Sequence, residues 1–177
     1  MKWEHVRRLH AESAAQVAAT AEAIPPDSWL TPRAEGKWSP AEIVHHLLLT
    51  FDTLQREMEG GKGMHVITRL WQRVLLRLFL VPRLLRGGAF PKRARAPREL
   101  RPGPPSGTQA EVIAKFRARA AEFEAAADEA QKRPRGGVLT HAYFGRSNVA
   151  TGVLLCARHM QHHQRQLASD SQRLPAG

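Results

Sequence analysis

The sequence predicts an all-α protein built as one helical bundle. Two helix-capping boxes begin long segments in which apolar residues recur every three or four positions. No segment of useful length alternates polar and apolar residues as a half-buried strand does. At 177 residues the chain has the length of one domain, which we expect to span residues 1–177.

The first two predicted helices lie in the N-terminal third of the chain. The first runs from about Trp3 to Ala23, is rich in Ala, Glu, Gln and Arg, and ends before Pro25-Pro26. The second begins at Ser39, where a serine, a first-turn proline and a third-position glutamate form a capping box. It runs toward Gly60-Gly61.

A very apolar stretch from His65 to Arg86 predicts a further helix. It is interrupted at four-residue spacing by Arg69, Arg73 and Arg77. We expect its apolar side to pack against the bundle or a second subunit while these three arginines face water. The Pro-, Gly- and Arg-rich connection that follows, Gly87 to Gly107, has no apolar period and predicts a long loop.

The last two predicted helices complete the bundle. Thr108 begins one with a second capping box, and it continues until the break at Arg133 to Gly137. A short segment, Leu139 to Gly145, leads into the last helix, from about Asn148 to Ser171.

The formal net charge of +11 is concentrated in one stretch. Residues 62–101, here called the basic segment, hold 11 Lys and Arg residues against one acidic residue, Glu99. Packing within the bundle or a dimer is the favoured role of this segment, and contact with an anionic membrane surface is the alternative. Nucleic acid is disfavoured because few aromatic side chains are present there for stacking on bases.

The N-terminus and the cysteine content both favour a cytoplasmic protein. Glu4 and two arginines stand where a signal peptide needs its apolar region. Cys156 is the one cysteine, which excludes an intrachain disulfide. Its place on the inner face of the last helix favours buried packing over thiol chemistry.

Three of the nine histidines are candidates for a metal site. In helical projection His46 borders the apolar stripe of the second helix, whereas His45 points away from it. His159 and His163 lie four residues apart along one edge of the last helix, and His162 faces outward. A pair with this spacing is common on helix surfaces, but the third histidine makes a shared site a hypothesis of equal weight.

Three neutral imidazoles suit Zn or another borderline divalent ion, and they leave a coordination position for water or substrate. Two neighbouring residues have more ordinary interpretations. Gln166, one turn beyond His163, could hydrogen-bond a ligand imidazole or a bound water. Trp38 is interpreted mainly as a packing residue at one end of the bundle.

Two motifs resemble those of the DinB/YfiT-like superfamily. Gly36 to Leu47 resembles the motif W-S-x-x-E-x-x-x-H-L and selects His46 as its ligand. His141 to Gly145 resembles H-P-x-F-G, with Ala142 in place of the proline. The segment that follows resembles H-x-x-H-H-x-x-Q and selects His159 and His163.

The resemblance implies an up-down four-helix bundle with a His-triad metal centre and frequent dimerisation, here a homodimer. Residues 62–107 would then form an additional basic apolar helix or insertion between the second and third core helices. Some members of the superfamily transfer low-molecular-weight thiols, whereas many have no assigned reaction.

Two functions therefore follow as hypotheses. The first is a divalent-metal-dependent enzyme that hydrolyses a small molecule or transfers a low-molecular-weight thiol, with Zn favoured and Ni or another transition metal as an alternative. The second is a non-catalytic protein that binds an anionic membrane surface or a protein partner through the basic segment. No catalytic residue can be assigned, because a general base needs a measured reach to its substrate.

Overall fold

The computed structural model describes residues 2–91, 95–104, 106–134 and 137–171. Its elements in chain order are α1 (Trp3–Glu22), α2 (Pro26–Trp29), α3 (Pro40–Met58), α4 (Leu70–Leu75), a π-helical turn (Leu76–Leu80), α5 (Val81–Leu85), a 3₁₀ turn (Arg98–Leu100), α6 (Gln109–Gln131), β1 (Leu139–His141), β2 (Gly145–Ser147) and α7 (Val149–Ser171). The mostly helical architecture confirms the all-α expectation.

The four long helices pack around a shared apolar core. Helix α1 lies against α7 and α6, and α3 lies against the same two helices. Phe51 on α3 sits between two aromatic rings of α6, with ring centroids 5.5 Å from Phe116 and 5.2 Å from Phe123. All three rings are fully buried, so the α3–α6 contact forms the aromatic centre of the core.

Both predicted capping boxes form. The backbone N–H of Ser39 donates to Glu42 Oε2 at 2.7 Å, and the N–H of Glu42 donates to Ser39 Oγ at 3.3 Å. Thr108 and Glu111 repeat the arrangement at the start of α6, with distances of 2.8 and 3.3 Å. The start of α3, and with it the register of the histidines that follow, is therefore fixed locally.

A two-stranded hairpin was not expected from the sequence. Strands β1 and β2 pair in antiparallel fashion with Leu139 opposite Ser147, and each strand has three residues, too few to show an alternating pattern. Glu57 on α3 anchors the hairpin by accepting hydrogen bonds from the backbone N–H of Thr140 at 2.7 Å and from its Oγ1 at 2.6 Å. The expectation that no strand forms is wrong at this position.

The apolar stretch is helical from Leu70 to Leu85, a shorter span than His65 to Arg86. A π-helical turn interrupts it just before Pro82. Proline has no N–H and its ring crowds the carbonyl four residues earlier, so the widened turn accommodates the ring without ending the helix. The preceding residues are not helical and contact the hairpin turn, where the N–H of Ile67 donates to the Ala142 carbonyl at 3.0 Å.

The packing predicted for this helix is only partly correct. Its inner side joins a small apolar cluster in which Leu84 is buried against Phe144 and Leu155. Its other side leaves large apolar residues exposed, including Trp71 at 59% and Phe79 at 72%. The described part of the chain therefore covers these residues only in part.

Arg73 also differs from the expectation that all three arginines face water. Its side chain is half-buried against Gly145, where an added Cβ would come within 2.7 Å of Arg73 Cδ, and its Nη2 donates to the Thr68 carbonyl at 3.3 Å. Gly145 has a φ of +71°, so glycine meets both a backbone and a steric requirement here. Arg69 and Arg77 are exposed as expected.

The described part of the connection from Gly87 to Gly107 contains a 3₁₀ turn that the loop prediction did not include. Its 3₁₀ turn ends at Leu100, whose side chain is 5% exposed and belongs to the main core. The predicted loop positions 92–94 and 105 lie outside the described residues. Among the helices of the described part, none combines the length and apolar character required to cross a bilayer.

Candidate metal centre

Three histidines from two helices converge at one point. His46 lies on the second turn of α3, and His159 and His163 lie on successive turns of α7. The Nε2 atom of His159 is 3.2 Å from His46 Nε2 and 2.9 Å from His163 Nε2. One ligand atom from each residue lies within 4.8 Å of both others. The three residues selected from the sequence are thus brought together.

The outer ring nitrogens of two histidines are held by hydrogen-bond acceptors. His46 Nδ1 lies 2.6 Å from the Leu100 carbonyl oxygen, and His163 Nδ1 lies 2.8 Å from Gln166 Oε1. Since a carbonyl oxygen only accepts, each Nδ1 carries the hydrogen and donates it. The neutral tautomers therefore present unprotonated Nε2 lone pairs toward the shared point.

This arrangement fits a cation better than it fits three rings alone. A neutral His159 has one N–H and can donate it to His46 or to His163, but not to both. The other short Nε2–Nε2 contact would then have no hydrogen directed along it and would not be a hydrogen bond. Tetrahedral coordination with Zn–N distances of about 2.0 to 2.1 Å places ligand nitrogens about 3.3 Å apart, close to the observed separations.

The surroundings keep these imidazoles neutral. Burial lowers the pKa of His46 to about 4, although its hydrogen bond to Leu100 acts in the opposite direction. Burial, and secondarily the neighbouring histidines, hold the pKa of His159 and the pKa of His163 well below the ordinary value. The neutral form is the one that ligates a metal, so the donor set is compatible with a divalent ion.

The triad lies on the wall of a cavity of about 1300 Å³. The Trp38 ring covers one side, with its centroid 4.8 Å from that of His46 and 6.4 Å from that of His163. Phe90 belongs to the connection after α5, and its ring centroid lies 5.7 Å from that of His159. Trp38 therefore packs against the bundle as predicted, and it also forms part of the site.

The neighbouring histidines differ from each other. His162 was expected to face outward, but it is half-buried on the cavity wall, where Gln166 Nε2 donates to its Nε2 at 3.1 Å. Burial lowers the pKa of His162, and the positive charges of Arg165 and Arg33 lower it further. His162 therefore lines the cavity beside the triad, but it is not one of the three converging ligands. His45 is also half-buried and does not line the cavity.

The contact predicted for Gln166 is confirmed, since its oxygen accepts from His163 and its nitrogen donates to His162. The amide thereby orients two adjacent rings of α7. Cys156 lines the cavity but is 4% exposed, and burial raises the pKa of its thiol to about 12. The prediction of a buried packing role for this cysteine is consistent with both observations.

Sequence reasoning did not identify His141, a further histidine that lines the cavity beside the triad and His162. His141 stacks on Phe144 at 4.2 Å, and its Nδ1 accepts the backbone N–H of Tyr143 at 3.1 Å. Burial lowers the pKa of His141 to about 4, so the ring is neutral and carries its hydrogen on Nε2. The motif His141 to Gly145 was the available signal, but it did not show that the turn faces the triad.

The comparisons with known proteins agree with this geometry. A family model described as the DinB superfamily matches residues 9–167, a span that includes all three converging histidines. No curated protein and no solved structure matches the chain significantly. The match covers most of the chain, and the chain therefore belongs to the DinB superfamily.

Proposed function

We propose that His46, His159 and His163 together hold one divalent metal ion, and that this ion makes the protein an enzyme. The observation that carries the proposal is the convergence of three Nε2 atoms while acceptors hold the Nδ1 atoms of His46 and His163. Three neutral imidazoles favour Zn, and Ni or another transition ion suits the same ligands.

An ion held by His46, His159 and His163 would keep a coordination position for water or substrate. It would supply Lewis acidity and would lower the pKa of a coordinated water or thiol. The chemistry that fits is hydrolysis of a small molecule or transfer of a low-molecular-weight thiol. Trp38 and Phe90 place aromatic rings beside the triad, and His141 presents a neutral ring that carries its hydrogen on Nε2.

The proposal extends to the fold that supports the centre. We infer that α1, α3, α6 and α7 form the up-down four-helix bundle of the family, in a single domain of residues 1–177. Residues 62–107 would then be an insertion between α3 and α6. The ring of contacts among the four long helices supports this arrangement.

Metal content of single variants tests the centre. Untagged protein should contain one ion per chain, and His163→Ala should lose it. His45→Ala should retain it, because that side chain does not line the cavity. His162→Ala should also retain it, since its Nε2 already accepts a hydrogen bond from Gln166. If His162→Ala loses the ion as completely as His163→Ala does, the proposed set of ligands is wrong.

Activity requires a separate measurement. Zn-loaded protein should be screened for ester and amide hydrolysis and for transfer of low-molecular-weight thiols, beside His159→Ala as the metal-deficient control. Turnover in the first protein and not in the second supports the enzyme. A retained ion without turnover in either screen would reject these two reaction classes.

A second function is favoured by the exposed side of the α4–α5 region, and we propose that this side contacts an anionic membrane surface. Six large apolar residues between 70 and 79 are 47 to 72% exposed: Leu70, Trp71, Val74, Leu75, Leu78 and Phe79. Such a concentration on one segment marks an interaction surface. The exposed Arg69, Arg77 and Arg83 lie in the same segment.

The distribution of charge favours a membrane over a second copy of the chain as the partner of this surface. No acidic residue occurs from Gly60 to Arg98, so a symmetric interface through this side would bring two strongly basic surfaces together. Anionic lipid instead attracts the arginines, while the Trp, Phe and Leu side chains enter the interface. The homodimer expected from the family resemblance would then use another face and remains a prediction.

Vesicle binding tests this second function. Vesicles containing phosphatidylglycerol should bind the protein at physiological salt and shift Trp71 emission to the blue, whereas neutral phosphatidylcholine vesicles should bind weakly. Trp71→Ser combined with Phe79→Ser should abolish binding. Leu30→Ser, at a residue 60% exposed on another part of the chain, is the matched control. Equal loss in the control, or no binding to anionic vesicles, would reject the membrane surface.

A further inference from the structure

The cavity beside the triad is elongated along α7. Its wall includes α7 residues from Gly152 to Ser169, a span of about 25 Å at 1.5 Å per residue. His159 lies near the middle of that span. A volume of about 1300 Å³ also exceeds the range of about 300 to 1,000 Å³ that is usual for small-ligand sites. Both measures favour a long ligand.

The wall changes character along this length. Near Gly152 it is mainly apolar, with Leu54, Leu155 and Phe144 beside the polar Thr140 and Ser147. The inner side of the α4–α5 region adds Leu76 and Leu80, which pack on the same cluster as Leu155.

Near Ser169 the wall is polar and basic. Arg33 reaches this end, where its Nη1 donates to Ser169 Oγ at 3.1 Å. Arg165 lies on the adjacent turn of α7, and Lys37 directly precedes the Trp38 ring that covers His163. The histidine triad therefore lies between an apolar end and a basic end.

The positive charge at the cavity is not neutralised by the described residues. Five basic side chains line it: Arg33, Lys37, Arg95, Arg101 and Arg165. No Asp or Glu lines it within the described ranges, and none of the five forms an ion pair there. Arginines on α1 and α6 do form such pairs, as Arg117 does with Glu22 at 2.6 Å. An anionic ligand would supply the missing partner.

We propose that this cavity binds an elongated anionic amphiphile, with a carboxylate or phosphate head at Arg33, Lys37 and Arg165 and an unbranched apolar tail along Leu76, Leu80 and Leu155. The ligand would pass directly beside the triad. As a substrate assignment the inference rests on the proposed metal enzyme, but binding of the amphiphile itself requires only the cavity.

Calorimetry with simple probes tests the binding. In a series of straight-chain carboxylates from hexanoate to dodecanoate, kept below micelle formation, each added methylene should strengthen affinity by about fourfold until the tail fills the cavity. Dodecyl phosphate should bind as dodecanoate does. Dodecanol lacks the charge and acetate lacks the tail, so both should bind at least about tenfold more weakly than dodecanoate.

Variants locate the head. Arg165→Gln combined with Lys37→Gln should weaken dodecanoate by about tenfold and leave dodecanol unchanged. Arg117→Gln removes a surface charge on α6, away from the cavity, and should leave dodecanoate binding intact. Equal weakening by Arg117→Gln, affinity independent of chain length, or dodecanol binding as tight as dodecanoate would overturn the inference.

Failure of this inference is separable from failure of the metal centre. His159→Ala should lose the metal and still bind dodecanoate in the metal-free cavity. If the wild-type protein holds the ion but its affinity for carboxylates does not depend on chain length, the metal centre stands and the amphiphile site is rejected. Protein that binds dodecanoate but takes up no ion keeps the amphiphile site and overturns the enzyme.

Discussion

At the scale of single residues, the triad depends on partners that hold its rings. Helical projection of the sequence made His46, His159 and His163 candidates, because each borders the apolar stripe of its helix, and the family motifs pointed to the same three residues. It could not provide the Leu100 carbonyl that accepts from His46 Nδ1, since that partner lies 54 residues away in a segment without an apolar period. Gln166 was predictable because it lies on the same helix as its partner.

Gln166→Leu should weaken metal affinity about tenfold to a hundredfold while leaving the fold intact, because His163 Nδ1 would lose the acceptor that fixes its tautomer. Competition with a chromogenic chelator measures the change. Gln164→Leu is the matched control, since Gln164 contacts Thr20 on α1 and does not contact the triad. Similar affinities for the two variants would mean that the amide does not orient the ligand.

Acid should destabilise the metal-free protein. Burial depresses the folded-state pKa of His46 to about 4, so between about pH 6.5 and 4 the unfolded chain binds a proton that the folded chain does not. The contribution to stability is complete above that window and is lost as the pH falls through it, by about 3 kcal/mol for a shift of this size. Urea unfolding at neutral pH and near pH 5, where about 2 kcal/mol of this loss is expected, measures it. Stability that does not change with pH would contradict the burial of this ring.

At the scale of elements, prediction succeeded where local residues determine the structure. The boxes at Ser39 and Thr108 were identifiable because all their partners lie within four residues. The hairpin was missed because its strands are three residues long and its anchor, Glu57, is distant in sequence. The π-helical turn was also missed, since Pro82 by itself is equally compatible with the end of a helix.

Ser39→Ala should lower the free energy of unfolding by about 1 kcal/mol through loss of the N-cap hydrogen bond to the Glu42 N–H. Because Ser39 and Glu42 form one motif, adding Glu42→Ala should cost less than the sum of the single changes. Chemical denaturation of the four proteins measures both quantities. Strict additivity would show that the box does not act as a unit.

At the scale of the whole molecule, the proposed functions depend on where the positive charges and the exposed apolar side chains lie. The sequence located the excess positive charge in residues 62–101 but not the orientation of its apolar residues. Leucines occur on both sides of that helix, so the sequence alone does not show which side is buried. The buried side is determined by contact with Phe144 of the hairpin and Leu155 of α7. In the structure the inner side closes the cavity, and the outer side is left exposed.

The central claim is that three histidines of this bundle hold one divalent ion. X-ray absorption spectroscopy of untagged protein, loaded with one equivalent of Zn, tests it most directly. We predict three imidazole nitrogens and one further light ligand at about 2.0 to 2.1 Å, with the imidazole signal lost in the triple variant His46→Ala/His159→Ala/His163→Ala. An unchanged imidazole signal in that variant, or a six-oxygen shell around the ion in the wild-type protein, would contradict the claim.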